Sequence, residues 1–317
     1  MAESSATRPT ATAVLGMGRE ARAHAKSQSN WARAWGRFRQ NKLALAGLVV
    51  IVLMVGIALG ASLIAQFVTR TTLSAQSLFD KYAPAGAKAT RGGGTYIFGA
   101  DELGRDILTR LAYGGQVSLG VAVLATIVAV SLGTLVGAVS AYYGGWADTL
   151  LMRFVDVMLA IPGLVLLILI GALFNVGPLQ LALVIAALGW FTLSRIIRSE
   201  ILSVRRREYV EAARVAGATD GRIIARHILP NVSHLLIIAI TGDIPIFILS
   251  EASLSFLGLG IRPPTPSWGN MLTNARDALT KSPSVAVFPG LFIALTVLAF
   301  ILVGNALRDA LDPRLTK

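Results

Sequence analysis

The chain has no cysteine, so it has no disulfide framework and no thiolate nucleophile or metal ligand. Charge is scarce: only 15% of its 317 residues are Asp, Glu, Lys or Arg, where a soluble domain carries about 25%. Only three histidines occur, His24, His227 and His234, and no HExxH, so a zinc hydrolase finds no ligands here. No lysine follows a glycine, which excludes a Walker A phosphate loop. Gly258-Leu259-Gly260 lacks the third glycine of a dinucleotide fingerprint, and no G-x-S-x-G occurs. Nothing in the sequence binds ATP or breaks a covalent bond by a recognisable device.

Apolar residues are abundant, at 54%, with a mean hydropathy of +0.66. They come in long blocks. Leu43 to Ala65, Val117 to Tyr143 and Val285 to Leu307 hold no charge at all, and Leu179 to Ser194 runs on past Arg195 to Ile197. Two more blocks carry isolated acids: Phe154 to Phe174 with Asp156, and Leu235 to Leu257 with Asp243 and Glu251. A bilayer core needs roughly 20 apolar residues of helix. The expectation is an all-α membrane protein with six transmembrane helices at 43–65, 117–143, 154–174, 179–197, 235–257 and 285–307. Too little polar surface remains to wrap six such helices as a soluble core.

The net charge of +12 is not spread evenly. Eight Lys/Arg precede the first span, eight lie between residues 195 and 234, and the end carries Arg308, Arg314 and Lys317. By the positive-inside rule both termini and the 198–234 segment face the cytoplasm, with external loops at 66–116 and 258–284. The basic excess then sets orientation and is no nucleic-acid footprint. Residues 1–30 read as a disordered cytoplasmic tail, since they contain no apolar stretch of a signal peptide. In 31–42, Trp31, Trp35 and Phe38 fall at i, i+4 and i+7, with cations between them. That predicts an interfacial helix with its aromatic side in lipid. Residues 308–317 form a second cytoplasmic tail.

The informative stretch is Arg205 to Asn231. Tyr209, Ala212, Ala213 and Ala216 give a short helix with a small-residue stripe, ended at Gly217. Thr219 or Asp220 caps a second helix, in which Ile223, Ile224, His227 and Ile228 form an apolar edge opposite Arg222 and Arg226. Pro230 is expected to break that helix before the fifth span. The product is a helix–turn–helix that another protein can approach closely. A topology-setting basic loop and a DNA-reading helix–turn–helix are the alternatives, and flanking spans leave the second little room. Asp243 and Glu251, costly in a bilayer, are expected to face the bundle or a wet cavity as translocation-path candidates. Asp156 reads as a helix N-end acid. In the first external loop, Leu103, Ile107 and Leu111 share one face of a short helix, leaving Asp101, Glu102, Arg105 and Asp106 toward water. Gly92-Gly93-Gly94 reads as a flexible turn.

Glu211-Ala212-Ala213, three residues, Gly217, nine residues, then His227-Ile228-Leu229-Pro230 resembles the EAA loop of binding-protein-dependent ABC importer permeases. Histidine at 227, where the general pattern has isoleucine, is similar to the peptide and nickel branch. Phe38 to Gly47, Phe98 to Gly114 and Ser253 to Gly269 resemble segments of its C-type permease subunit, so the likeness covers residues 31–317. It implies a type I ABC importer permease fold and import of di- or oligopeptides, with nickel chelates or glutathione as alternative solutes. It implies partners: a second, homologous B-type permease, two ATP-binding subunits and an external substrate-binding protein. ATP and Mg would be bound by those ATPases, leaving this chain without cofactor or catalysis. The coupling residues implied are Glu208, Glu211, Ala212, Ala213, Gly217, Asp220, Arg222, Arg226, His227, Leu229 and Pro230. An ion-coupled secondary transporter is the rival from another class, disfavoured by the lack of an internal repeat and by having only three intramembrane acids.

Overall fold

The computed structural model describes residues 30–90, 93–274 and 278–311. The expected tail at 1–30 thus lies almost wholly outside the described residues, as do Arg314, Lys317 and the start of the Gly92-Gly93-Gly94 turn. Helices dominate. Helix α1 (Asn30–Gln40) leads into α2 (Lys42–Leu59), whose start is capped by Asn41 accepting from the Ala44 amide at 3.1 Å. Short turns carry the chain to Val68. A small antiparallel hairpin follows, β1 (Ala87–Lys88) with β2 (Thr95–Tyr96), pairing Ala87 with Tyr96 and Lys88 with Thr95.

Helix α3 (Ile107–Tyr143) is 37 residues long. It begins at Ile107 rather than Val117, so the short loop helix expected around Leu103 to Leu111 is the opening of α3 itself. The cause is Asp106, which caps it: Oδ1 accepts from the Thr109 amide at 2.6 Å. Gly144 and Gly145, both at positive φ, turn the chain into α4 (Gly145–Ala160). The third apolar block is not one straight span. It is α4 and α5 (Gly163–Leu173), bent by 79° at Ile161-Pro162. Proline has no N–H to donate and disfavours helix in the residue before it, so the ladder cannot cross Pro162. Asp156 therefore sits inside α4, not at a helix start, and its carboxylate pairs with Arg195.

Helix α6 (Pro178–Val204) packs parallel to α3, Gly133 meeting Trp190 and Gly137 meeting Ser194, and starts on proline in its first turn. Then come α7 (Glu208–Val215), α8 (Asp220–Ile223), α9 (Leu229–Phe256) and α10 (Ser284–Leu311). Among the described residues five helical stretches are long and apolar enough to cross a membrane: α2, α3, α6, α8 through α9, and α10. The bent α4–α5 pair brings the number to six.

Small residues let the bundle close. A Cβ on Gly133 would stand 2.9 Å from the Trp190 carbonyl oxygen, and one on Gly137 2.5 Å from that of Ser194, so α3 and α6 touch backbone to backbone. Phe38 is buried against Val303, Ala306 and Ala310 of α10. This differs from the lipid-facing role its spacing predicts: α10 offers an apolar wall, and Trp35, stacked on Phe38 at 5.6 Å, is left half exposed. The end of α1 and the end of α10 thus meet on one side of the bundle, the side from which α7 projects.

Candidate functional site

The segment from Arg205 to Pro230 is built as a rigid knob. In α7, Glu208 and Glu211 occupy the first turn and Arg214 the last, matching the helix dipole. Gly217 ends the helix at φ +81°. Its amide bonds to the Arg214 carbonyl at 3.0 Å and that of Ala218 to the Ala213 carbonyl at 3.1 Å, a Schellman turn. One side of the knob is glued down. Val210, Ile223 and Ile228 are fully buried among Tyr142, Ile197, Ile201 and Val204 from the ends of α3 and α6. The other side is open: Glu208, Glu211, Ala212, Ala216, Gly217, Asp220, Arg222, Arg226 and Pro230 are exposed, Ala213, His227 and Leu229 half-buried. Val215, an apolar side chain, is 89% exposed.

Polar contacts fix the knob to the bundle. Arg205 Nη1 donates to the carbonyls of Ala141 and Tyr142, both at 2.8 Å, which occupies the free carbonyls at the end of α3. The Tyr142 hydroxyl donates to Asp220 Oδ1 at 2.5 Å. Behind them Arg198 grips Asp148 of α4 through two bonds of 2.6 Å, and the Ser140 hydroxyl bonds the same carboxylate. Thr219 holds the cap position of α8 but makes no side-chain cap, and Asp220 turns to Tyr142 instead.

Pro230 does not break the helix. Ile224–Ile228 forms a π turn, with the Leu229 amide bonded to the Ile224 carbonyl, and α9 continues from it. The wider turn absorbs the proline, which sits in the first turn of α9 where its missing N–H costs little.

Residues 129–317 match the family described as "binding-protein-dependent transport system inner membrane component". Residues 29–84 match the "N-terminal TM domain of oligopeptide transport permease C". The chain belongs to the binding-protein-dependent ABC importer permeases. It is 39% identical over 285 residues to proteins named glutathione transport system permease protein GsiD from Escherichia coli, Shigella boydii and Shigella sonnei, covering 90% of this chain and 91% of each relative. The permease is therefore a multi-pass protein of the bacterial inner membrane, of a family that works with ATPase and substrate-binding partners.

The two acids expected in the path part company. Glu251 is completely buried, its Oε2 accepting from Ser118 Oγ and its Oε1 from Ser255 Oγ, both at 2.7 Å. Ser118 Oγ also accepts from the Trp268 amide at 3.1 Å, and Trp268 Nε1 donates to the Leu111 carbonyl at 2.9 Å. Glu251 is thus an internal clamp among α3, α9 and the loop after α9, sealed from any surface. Asp243 is only half-buried.

The loop before α3 also departs from expectation. Asp101, Arg105 and Asp106 do not face water; they are 5%, 8% and 4% exposed. Asp101 Oδ1 accepts from the amides of Leu103 and Arg105, at 2.9 and 3.0 Å, and its Oδ2 from Arg105 Nε at 2.6 Å. Charge here is spent on turns and pairs, so helical periodicity misplaces it. Burial pushes the Asp106 carboxyl up despite its cap bond. In the hairpin, Thr90 and Tyr96 donate to Asp80. Burial raises that carboxyl, and these bonds outweigh it, leaving it below its ordinary value. Burial and the Asp80 charge together push Tyr96 up to about 12.

Proposed function

We propose that the permease imports small peptides, driven by ATP hydrolysed on partner subunits, and that the α7–Gly217–α8 knob is its coupling element. The observation that carries this is mechanical. The knob shows small and charged side chains outward, yet is held to α3 and α6 by buried aliphatics and by Arg205 and Asp220. A force applied to Ala212, Ala213 or Gly217 passes directly into the spans. Glu208, Glu211, Arg222, Arg226, His227, Leu229 and Pro230 line or support the same face. Two ATPases dock here and on the matching loop of a second, homologous permease, while a substrate-binding protein delivers solute to the opposite, external end. ATP and Mg reside in the ATPases, and this chain performs no catalysis. The basic excess around the knob and α1 supports a cytoplasmic position for that side and for both termini. Asp243, half-buried and within α9, is the remaining acid for the translocation path and suits a peptide's amino group.

Peptide import rests on the match to the oligopeptide permease segment. Glutathione, itself a small peptide, is the second reading, favoured by the names of the GsiD relatives; a nickel chelate is a third. The test is uptake into proteoliposomes holding the permease, its partner permease, the ATPases and the binding protein. Uptake of labelled dipeptide should require internal ATP and ignore an imposed ion gradient. Uptake driven by the gradient alone would establish a secondary transporter instead.

A further inference from the structure

A pocket of about 110 Å³ lies between the loop before α3 and the loop after α9. Its lining includes Asp101, Glu102, Arg105, Arg110, Arg262 and Asn274. Among the described residues the lining holds three arginines and two carboxylates, and the short bonds of both carboxylates go to one arginine. Arg105 takes both, through Nε to Asp101 at 2.6 Å and through Nη2 to Glu102 Oε1 at 3.0 Å. Arg262 sits at the exposed rim, its Nε on the Gly258 carbonyl at 3.2 Å.

Arg110 keeps only a longer ion pair. Its side chain is 5% exposed, and its nearest acid is Asp101 Oδ2, 3.5 Å from Nε. Its guanidinium makes no hydrogen bond to any described residue, although it carries five donors. A buried charged group without hydrogen bonds is costly, and a planar fork of N–H groups is matched best by a carboxylate. The pocket admits such a group on a short stem and excludes a whole peptide, since each water in the liquid already takes about 30 Å³.

We propose that this pocket is a carboxylate socket, in which Arg110 grips one incoming carboxylate while Arg105 and Arg262 supply the surrounding positive field. The carboxylate comes either from a free small acid or from an acidic side chain presented by the binding protein. The socket itself stands apart from the coupling reading; only the second source rests on the proposed assembly.

Acetate is the probe. The reconstituted assembly is titrated with sodium acetate against sodium chloride at equal ionic strength, following hydrogen exchange in residues 101–111 and the melting temperature. Acetate should slow exchange saturably and raise the melting temperature, and chloride should do neither. Arg110→Lys keeps charge but loses the fork, and should weaken acetate about tenfold, the loss of one charge-assisted hydrogen bond. Arg262→Gln, at the exposed rim, folds regardless and should weaken it by a smaller factor. Binding-protein affinity is then measured with and without acetate. Competition assigns the socket to a protein carboxylate, and no competition assigns it to a free acid. No saturable acetate effect in the wild type, or an effect unchanged in both variants, overturns the socket.

Discussion

Gly217 offers the sharpest test of the coupling assignment. It stands at φ +81°, and a Cβ built there meets nothing within 4 Å. Two costs of a side chain are therefore separable. The first is conformational: an L-residue in the left-handed region loses roughly 1–2 kcal/mol, so the turn is formed about 5- to 30-fold less often. The second is steric and arises only if another protein seats against the turn, because nothing in this chain occupies that space. Asparagine and aspartate tolerate the left-handed region, whereas alanine does not. If strain alone matters, Gly217→Asn and Gly217→Asp transport nearly as wild type, and Gly217→Ala is the most impaired. If the turn is seated in a partner, Gly217→Ala retains the most activity, and Gly217→Asn and Gly217→Asp both abolish ATP-driven uptake. The assay is proteoliposome uptake, with co-purification of the ATPases and the melting temperature of the permease measured alongside. The melting temperature should fall by no more than the few degrees that a strain of about 1–2 kcal/mol implies, because the fold needs no space there. An assembled Gly217→Asp variant that transports at the wild-type rate refutes the reasoning.

Tyr142→Phe should leave the bundle intact but loosen the knob. Asp220 is exposed, so the bond is worth about 1 kcal/mol, and amide exchange across 208–223 should quicken about fivefold; unchanged exchange would show that the hydroxyl holds nothing. Glu251→Ala strands two buried hydroxyls and should lower stability by about 2–5 kcal/mol, read as a large fall in melting temperature. Asp243→Asn should keep the melting temperature and change uptake of peptides with a free amino terminus; if both variants instead behave alike, the division between clamp and path acid fails. Asp80 has its carboxyl pKa depressed in the fold, so its contribution is full above the unfolded value of about 3.9 and is lost as pH falls below it. Protection of amides in residues 80–96, taken relative to the intrinsic exchange rate at each pH, should therefore be flat from neutral pH down to about 4 and fall below that, and Asp80→Asn should remove the pH step.

Much of this architecture is legible in the sequence because its signals are local and strong. Long uncharged blocks make spans, and Gly217 after the stripe of Tyr209, Ala212, Ala213 and Ala216 makes a helix end. The readings that fail share a physical cause: they treat a residue by its period alone. Phe38 has the spacing of a lipid anchor, but α10 provides a closer apolar partner. Asp101, Arg105 and Asp106 carry charge, which periodicity sends to water, yet amides and guanidinium groups a few residues away consume that charge inside the loop. Pro230 reads as a break because a proline cannot donate, but a π turn before it spreads the defect over five residues. Tyr142 and Arg205 carry no motif at all. They matter through a contact with residues about 60 to 80 positions away, and only the packing of α3 on α6 brings those together. A tyrosine at the end of one span and an arginine triplet at the end of another are the hints the sequence holds.

Helix α3 contains no proline from Ile107 to Tyr143. Arg110 stands near its first turn and Tyr142 at its last, 32 residues apart, or about 48 Å along the axis. One end lines the pocket beside the external loops, and the other touches Asp220 of the knob. An uninterrupted helix of that length joins the two ends directly. Whatever occupies the pocket and whatever seats on the knob therefore act on the same helix. Linkage makes their influence mutual: an occupant that favours one tilt of α3 changes the knob's affinity for its partner by the same factor that the partner changes the pocket's.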